Sequence, residues 1–284
     1  MKKRLGLFCL CLFSMSLNAQ SYKGFDFFFN GGMYKGHAYH ATYYNGANEE
    51  INIQRILGNK ILKDQIDQLV AEKAGVTMDS KGVFLEELPQ KMHYDWCFQF
   101  GGGFAYRITP NLALTGTFGQ VKLRAAGTAV FGYNKGVIGN QSRDYLNYPL
   151  IGKERRSFLD IGIRYTQPSE TSFSWFYEGS LQLNNVKVEN ADLVVEGESF
   201  TMIDYYGGAN YDPTVTQIKI DPMLGGTGFG ASACIGLQMK INQWAFLAPY
   251  VQCQYSRIHL GSYLEAKPDY ILGVRILLKD YVFA

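Results

Sequence analysis

A histidine and a carboxylate stand two residues apart at His93 and Asp95, a spacing that puts both side chains on one face of an extended strand. In such a pair the carboxylate orients the imidazole, which can then take a proton from water as a general base. The sequence shows no second carboxylate pair to complete a hydrolytic site. His93 and Asp95 are therefore candidate catalytic residues without identified partners.

A second histidine, His259, precedes Ser262 by three positions. On a continuous strand this spacing places the two side chains on opposite faces, which argues against a shared nucleophilic role. No other cluster indicates a metal site, and no motif indicates a cofactor.

These residues lie in a chain dominated by alternating strands. The segment WCFQFGGGFAYRITPNLALTGTF, residues 96–118, carries an apolar or aromatic residue at nearly every second position and turns at Thr109–Asn111. Eight segments share this two-faced pattern, and each reaches the roughly 9 to 11 residues that a tilted transmembrane strand needs. Short connections alternate with long ones at about 37–93, 127–155 and 188–222. The pattern predicts an all-β fold: an eight-stranded antiparallel up-and-down transmembrane β-barrel with its aromatic face toward lipid.

The N-terminus begins with three basic residues, continues with an apolar run of about a dozen, and reaches the small residue Ala19. This order predicts a secretory signal peptide at 1–19 and a mature barrel domain at 20–284. Without the three leader cations, 24 basic residues face 25 acidic ones, which gives no reason to expect nucleic acid as a partner.

A β-sandwich is the alternative fold, but it would have to hold all its aromatic residues inside. The sequence leaves open whether two strand-like segments of the third long connection join the wall and make ten strands. The alternation of the third strand shifts near Gly119, which predicts a bulge at that point.

An eight-stranded barrel is just wide enough for side chains to fill its interior. We expect the inward charges to pair with one another as a plug, because unpaired charges in a confined interior are costly, rather than to line an ion path. The predicted lumen network comprises Asp26, Asp95, Arg107, Asp160, Arg164, Glu178, Lys240 and Arg275.

The first long connection contains an amphipathic segment, Asn59 to Gly75, with charged residues outside one apolar stripe and a glycine at its end. Two interpretations remain open: the helix covers the barrel mouth or the other loops, or its stripe is a docking surface for a partner protein. The stripe comprises Ile61, Leu62, Ile66, Leu69 and Val70.

The leader, the eight alternating strands, the short and long connections and the tail YVFA together resemble the small outer-membrane β-barrel families of the OmpA and OmpX type, without a periplasmic domain. The resemblance covers the mature chain. It implies a bacterial outer-membrane location with both termini periplasmic and the long loops extracellular. Arg257 and His259 then face outward at the outer rim, where we expect them to contact lipopolysaccharide phosphates.

The function predicted from the sequence is non-catalytic: a surface interaction protein or an accessory subunit of an envelope complex, acting through its long loops. Its partners would be outer-membrane lipid, lipopolysaccharide and other envelope proteins. The alternative is an outer-membrane enzyme, either an omptin-like protease at His93 and Asp95 or a lipid A-modifying hydrolase. Omptin-type proteases have ten strands and a second carboxylate pair, and lipid A deacylases place histidine and serine two residues apart rather than three.

Overall fold

The computed structural model describes residues 24–77, 81–135, 143–206, 216–218 and 220–279, so the predicted signal peptide lies outside it. Within these ranges the chain forms antiparallel strands and three short α-helices. The strands are β1 (Gly24–Lys35), β2 (Phe84–Glu87), β3 (His93–Tyr94), β4 (Cys97–Arg107), β5 (Leu112–Asn134), β6 (Arg143–Thr166), β7 (Phe173–Val195), β8 (Glu198–Thr201), β9 (Gly225–Lys240), β10 (Ala245–Arg257) and β11 (Ala266–Lys279). The helices are α1 (Ala38–Ala41), α2 (Gln54–Leu57) and α3 (Lys60–Ala74), with a 3-10 turn at Thr42–Tyr44.

Eight long strands close a ring in the order β1–β4–β5–β6–β7–β9–β10–β11. The ring closes where β1 pairs with β11, from Asp26 opposite Lys279 to Lys35 opposite Tyr270. Closure leaves no unpaired strand edge in the wall, which removes the main route to edge aggregation. The remaining described strands do not enter the ring: β2 and β3 pair with β5, and β8 pairs with β7. The wall therefore has eight strands, and the predicted fold class is confirmed.

The two ends of the barrel differ. Three tight connections, those after β4, β6 and β9, lie at one end, which we call the turn end. The beginning of β1 and the end of β11 lie at the same end. The long connections lie at the opposite, loop end. The alternation of short and long connections in the sequence is thereby confirmed.

The outer wall of the barrel is apolar and largely aromatic. Its exposed side chains include Phe98, Ile161 and Phe229, which are 64%, 65% and 71% accessible. Further members of this belt, which with Phe229 covers all eight strands, are Phe25, Phe27, Phe29, Phe100, Phe104, Leu114, Phe118, Leu159, Ile163, Trp175, Tyr177, Leu181, Leu183, Val251, Tyr255, Tyr270, Leu272 and Ile276. A soluble protein rarely exposes so large a contiguous apolar surface, whereas a lipid-facing wall requires one.

Toward the loop end the polarity of the two strand faces inverts while the strands continue. In β5 the outward residue Phe118 is exposed, but the next outward residues are Gln120, Lys122 and Arg124, and the inward ones become apolar and buried. The ladder between β5 and β6 runs without a register shift from Leu112 to Asn134. The bulge predicted near Gly119 is therefore wrong. The apparent shift arises because the strand leaves the apolar belt at this point.

One predicted loop is largely strand, and another is strand in part. β5 continues to Asn134 and β6 begins at Arg143, so most of 127–155 is β-sheet, and β7 continues to Val195 within the predicted loop 188–222. The extended parts of β5, β6 and β7, flanked by β2 and β8, form a sheet at the loop end. Together with α1 to α3 this sheet forms a folded unit that we call the head.

Helix α3 confirms the helix predicted between Asn59 and Gly75. The Asn59 side chain accepts hydrogen bonds from the backbone N–H groups of Ile61 and Leu62, which satisfies the free donors of the first turn. Gly75 ends the helix with a φ of 64°, a left-handed conformation that favours glycine. Within the part of the chain that the structure describes, no helix is long and apolar enough to cross a membrane.

Candidate functional site

The centre of the lumen is occupied by one carboxylate shared between two guanidinium groups. Glu178 Oε2 accepts a hydrogen bond from Arg164 Nε at 3.0 Å and another from Arg275 Nη1 at 2.9 Å. All three residues are almost fully buried. Charge-assisted bonds of this kind offset much of the desolvation of the three ions, so the cluster is a plug of paired charges.

Aromatic rings pack around these guanidinium groups. The Phe28 ring lies 4.4 Å from the Arg275 guanidinium carbon and 5.1 Å from that of Arg164, measured to the ring centroid. Phe176 lies against the same two arginines, and Tyr250 lies 5.1 Å from Arg275. Gly103 makes room for Phe28, because a Cβ at that position would come within 2.7 Å of the ring. Cation–π contacts and shape together fill the cross-section.

A second polar group continues from this cluster toward the loop end. Gln252 donates from Nε2 to Asp160 Oδ2 at 3.2 Å and to Ser232 Oγ at 3.0 Å. Ser232 Oγ in turn lies 2.6 Å from Ser180 Oγ. The inward residues of β6, β7, β9 and β10 are thus linked by hydrogen bonds across the barrel wall.

Six of the eight predicted lumen residues lie inside the barrel. Asp26 and Arg107 form a separate ion pair at the turn end, with 3.4 Å between Oδ2 and Nε. The prediction is wrong for Lys240, which is exposed at the turn end, where β9 finishes. It is also wrong for Asp95, whose side chain is 40% accessible and bonds to Arg124 on the outer wall. The alternation breaks between β3 and β4, because Tyr94 and Gln99 are both buried, which turns Asp95 outward.

Sequence reasoning missed a buried charge cluster at the mouth of the barrel. Arg156 bonds through Nη1 to Asp269 Oδ2 at 3.0 Å and through Nε to Glu154 Oε1. All three residues are 0–1% accessible. The signal was present in the sequence, because Glu154 and Arg156 share the parity of Asp160 and Arg164. Glu154 stood within the predicted loop 127–155, however, and Arg156 stood directly after it.

Tyrosines complete the hydrogen bonding of this mouth cluster. Glu154 Oε2 accepts from the hydroxyl groups of Tyr44 at 2.6 Å and Tyr94 at 3.0 Å, and Tyr34 donates to Asp269 Oδ2 at 2.6 Å. Burial, with the nearby carboxylate of Glu154, raises the pKa of the Tyr44 hydroxyl well above its ordinary value. Tyr44 therefore stays protonated and serves as a hydrogen-bond donor from the first connection to the wall.

The first connection closes the mouth with its own apolar residues. Ile66 and Val70 of α3 are fully buried, and Leu62 and Leu69 pack against the same core. The core also includes wall and loop residues of the head: Tyr43, Tyr44, Ile51, Ile53, Ile56, Ala125, Ala129, Phe131, Leu150, Ala191, Leu193 and Val195. The interpretation of the stripe as a partner-docking surface is therefore wrong for Leu62, Ile66, Leu69 and Val70, which the head itself covers, whereas Ile61 is half-buried and outside this core.

His40, on α1, lies fully buried beside the mouth cluster. Its Nε2 is 3.0 Å from the carbonyl oxygen of Glu265. Burial first, and the positive charge of Arg156 second, lower the pKa of His40 to about 3. The imidazole is thus neutral at physiological pH, where it donates to that carbonyl and acts as a packing residue.

The candidate catalytic residues do not form a hydrolytic site. His93 Nε2 and Asp95 Oδ1 are 4.0 Å apart on the exposed surface, and Arg124 already occupies the other oxygen of Asp95 at 3.0 Å. Within the described ranges, no group of three or more histidine, cysteine or acidic side chains is arranged to hold a metal ion. His259 and Ser262 lie on either side of a tight bridge between Leu260 and Tyr263.

Arg257 and His259 are both exposed and continue the outward face of Tyr255 at the loop end of β10. This placement agrees with the outward position expected from the sequence. Contact of these two residues with lipopolysaccharide stays a prediction.

Comparison with known proteins gives no family model and no curated protein that matches the chain. Among solved structures the chain is similar to Neisserial surface protein A, with 10% identity, a TM-score of 0.42 and coverage of 92% of this chain and 99% of that one. It is also similar to the outer membrane protein OprG from Pseudomonas aeruginosa, with 11% identity, a TM-score of 0.37 and coverage of 92% of this chain and 99% of that one. A third similar structure is that of Ail of Yersinia pestis in complex with the heparin analogue sucrose octasulfate, with 10% identity, a TM-score of 0.33 and coverage of 90% of this chain and 99% of that one.

These TM-scores and sequence identities are low, so the fold is assigned from the geometry of the chain itself. The eight antiparallel strands close on themselves, and their short connections lie at one end. The outer wall is apolar and the interior is filled by paired charges. On these grounds the chain folds as a closed eight-stranded antiparallel β-barrel with a lipid-facing wall, which is the architecture of the small outer-membrane barrels of the OmpA and OmpX type.

Proposed function

We propose that this protein acts without catalysis at the cell surface, as a surface interaction protein or as an accessory subunit of an envelope complex. The observation that carries the proposal is the combination of a blocked interior with a folded head. The Glu178 cluster fills the lumen, and the first connection closes the mouth above it. These features favour a barrel that supports the head over one that passes a solute.

The asymmetry of the two ends supports an orientation in the membrane. We place the turn end and both termini in the periplasm and the head outside the cell. Short turns at the periplasmic side and long, structured connections at the outer side are typical of bacterial outer-membrane barrels.

The contact surface of the head is its solvent-facing side. With the apolar stripe of α3 buried, the helix presents Asp64, Gln65, Gln68 and Glu72 outward. On the sheet of the head, Tyr145 is 56% accessible. Partner recognition through these surfaces would be polar and aromatic, which suits a reversible contact with another envelope protein.

Site-specific photo-crosslinking in intact cells tests the proposal. A photoreactive residue is placed at Gln68 or at Tyr145, and a matched control is placed at Ile161, which is 65% accessible in the lipid-facing belt. We expect a discrete protein adduct at one or both head positions and none at Ile161. The absence of protein adducts at both head positions, with normal surface display, would overturn the proposal.

Conductance separates the proposal from a channel function. The purified protein in a planar bilayer should show no unitary current steps, because the Arg164–Glu178–Arg275 cluster blocks the cross-section. Unitary current steps through the wild-type protein would contradict a non-transporting role.

A further inference from the structure

Two rows of basic residues cross the outer face of β5, β6 and β7 just beyond the apolar belt. Lys122 pairs in register with Arg155, and Arg155 pairs with Lys187. In the next row, Arg124 pairs in register with Lys153. All five side chains are exposed and point outward from the wall.

Like charges directly opposite one another destabilise a sheet. The rows therefore need counter-charges, and the chain supplies them only in part. Asp95 bonds to Arg124 at 3.0 Å and Glu189 bonds to Arg155 at 2.6 Å. Burial raises the pKa of a third carboxyl, that of Asp192, and the nearby charge of Lys153 lowers it in part.

The remaining cations have no counter-charge in the described chain. Lys122 and Lys187 form no ion pair with any described residue, and they lie on either side of Arg155. Five cations against three carboxylates leave a net positive surface. The two lysines without a counter-charge project from fixed register positions on paired strands.

The height of this basic surface above the apolar belt indicates which ligand it meets. Lys122 follows Phe118 of the belt by four residues, or about 13 Å along the strand, and less in height once the strand tilt is included. An intervening polar row contains Gln120, which donates to Ser157. Lipid phosphates and their polar headgroups lie in this narrow layer above the hydrocarbon.

We propose that Lys122, Arg155 and Lys187 form a binding site for the phosphate groups of an anionic lipid headgroup in the outer leaflet. Lys153 and Arg124 extend the site away from the membrane. The site lies on the other side of β9 from Arg257, which was predicted with His259 to contact lipopolysaccharide. Each ammonium group donates to phosphate oxygens and removes the cross-strand repulsion.

The test uses the full-length protein in detergent, titrated with bisphosphorylated lipid A and followed by native mass spectrometry. The variant Lys122→Gln/Lys187→Gln removes both unpaired charges. The matched control, Lys60→Gln/Lys91→Gln, removes two exposed lysines of the head away from the rows. A heat-modifiable gel shift checks that both variants are folded.

We expect the first variant to bind about 30-fold more weakly, since each lysine near an anionic lipid surface contributes about a factor of five. The control variant should bind as the wild type does. Lipid A without phosphates should bind weakly to every form, and inorganic phosphate should compete only at far higher concentration. Equal affinity of the two double variants, or equal affinity for phosphorylated and dephosphorylated lipid A, would overturn the proposal.

Discussion

The hydroxyl of Tyr44 donates a 2.6 Å hydrogen bond to Oε2 of Glu154, although 110 residues separate the two in sequence. The bond joins the first connection to the inner face of β6, and both residues are fully buried. Gly152 lies beneath the tyrosine ring, and a Cβ there would come within 2.1 Å of it. The contact thus fixes where the first connection enters the mouth.

Replacing Tyr44 by phenylalanine should destabilise the head by about 1–3 kcal/mol, because a buried, charged acceptor loses one of its donors. The rate at which a protease cleaves the first connection measures this opening. Tyr43→Phe is the matched control, since Tyr43 donates to Glu50, whose side chain is exposed to solvent. Similar cleavage rates for the two variants would contradict the role assigned to Tyr44.

Glu178→Gln should destabilise the barrel by about 3–5 kcal/mol, because two buried guanidinium groups lose their shared counter-charge. The folded fraction in a urea series, read from heat-modifiable gel mobility, measures the loss. Glu189→Gln breaks the exposed pair with Arg155 and should change stability by less than about 1 kcal/mol. The idea of a plug of paired charges fails if the two variants unfold at the same urea concentration.

Ile66→Ala should open a cavity beneath α3 and destabilise the head by about 3 kcal/mol. If opening and closing are fast, the first connection should then be cleaved about 100-fold faster. Gln65→Ala, one residue earlier on the exposed face, should leave cleavage unchanged. Were Ile66→Ala as resistant as the wild type, α3 would not be packed on the head.

The head should lose stability as the pH falls from 6.5 toward 3. In that range an unfolded His40 takes up a proton, whereas the folded His40, with its pKa lowered to about 3, does not. Unfolding is favoured because the unfolded state binds more protons, and the loss between pH 7 and pH 4.5 is about 2.5 kcal/mol.

Hydrogen exchange of α3 amides, corrected for intrinsic rates, measures this pH dependence. Arg156 and Lys267 lie near His40 and keep their charge throughout the range. Burial raises the pKa of Asp269 in the same cluster, which opposes the effect of His40, so a variant of the histidine is needed to isolate its contribution. The variant His40→Gln retains a donor for the Glu265 carbonyl and should flatten the profile. An unchanged slope in that variant would assign the effect to other groups.

The period-two alternation predicted the barrel well because one physical contrast, lipid outside and paired charges inside, governs eight segments. The strand count, the short turns and the bounds of α3 all follow from local signals of this kind. Asn59 and Gly75 mark the helix ends with the residue types that caps require.

The same reasoning failed where the contrast reverses. Beyond Phe118 and Leu159 the outward residues are polar or charged, and apolar residues join the inward face beside Glu154 and Arg156, so the strands look like loops to a rule that expects apolar residues outside. For this reason Glu154 and Arg156 were not predicted to be buried inside the barrel. The buried face of α3 could not be predicted either, because an apolar stripe alone does not say which surface covers it.

The continuity of β5 and β6 across this reversal has a mechanical consequence. About fifteen residues of β5, from Gln120 to Asn134, extend roughly 50 Å along the strand beyond the belt, and their ladder with β6 has no register shift. A joint would need a break in this ladder. The head and the barrel are therefore coupled as one rigid body. A lateral force on the head becomes a torque that tilts the barrel in its bilayer.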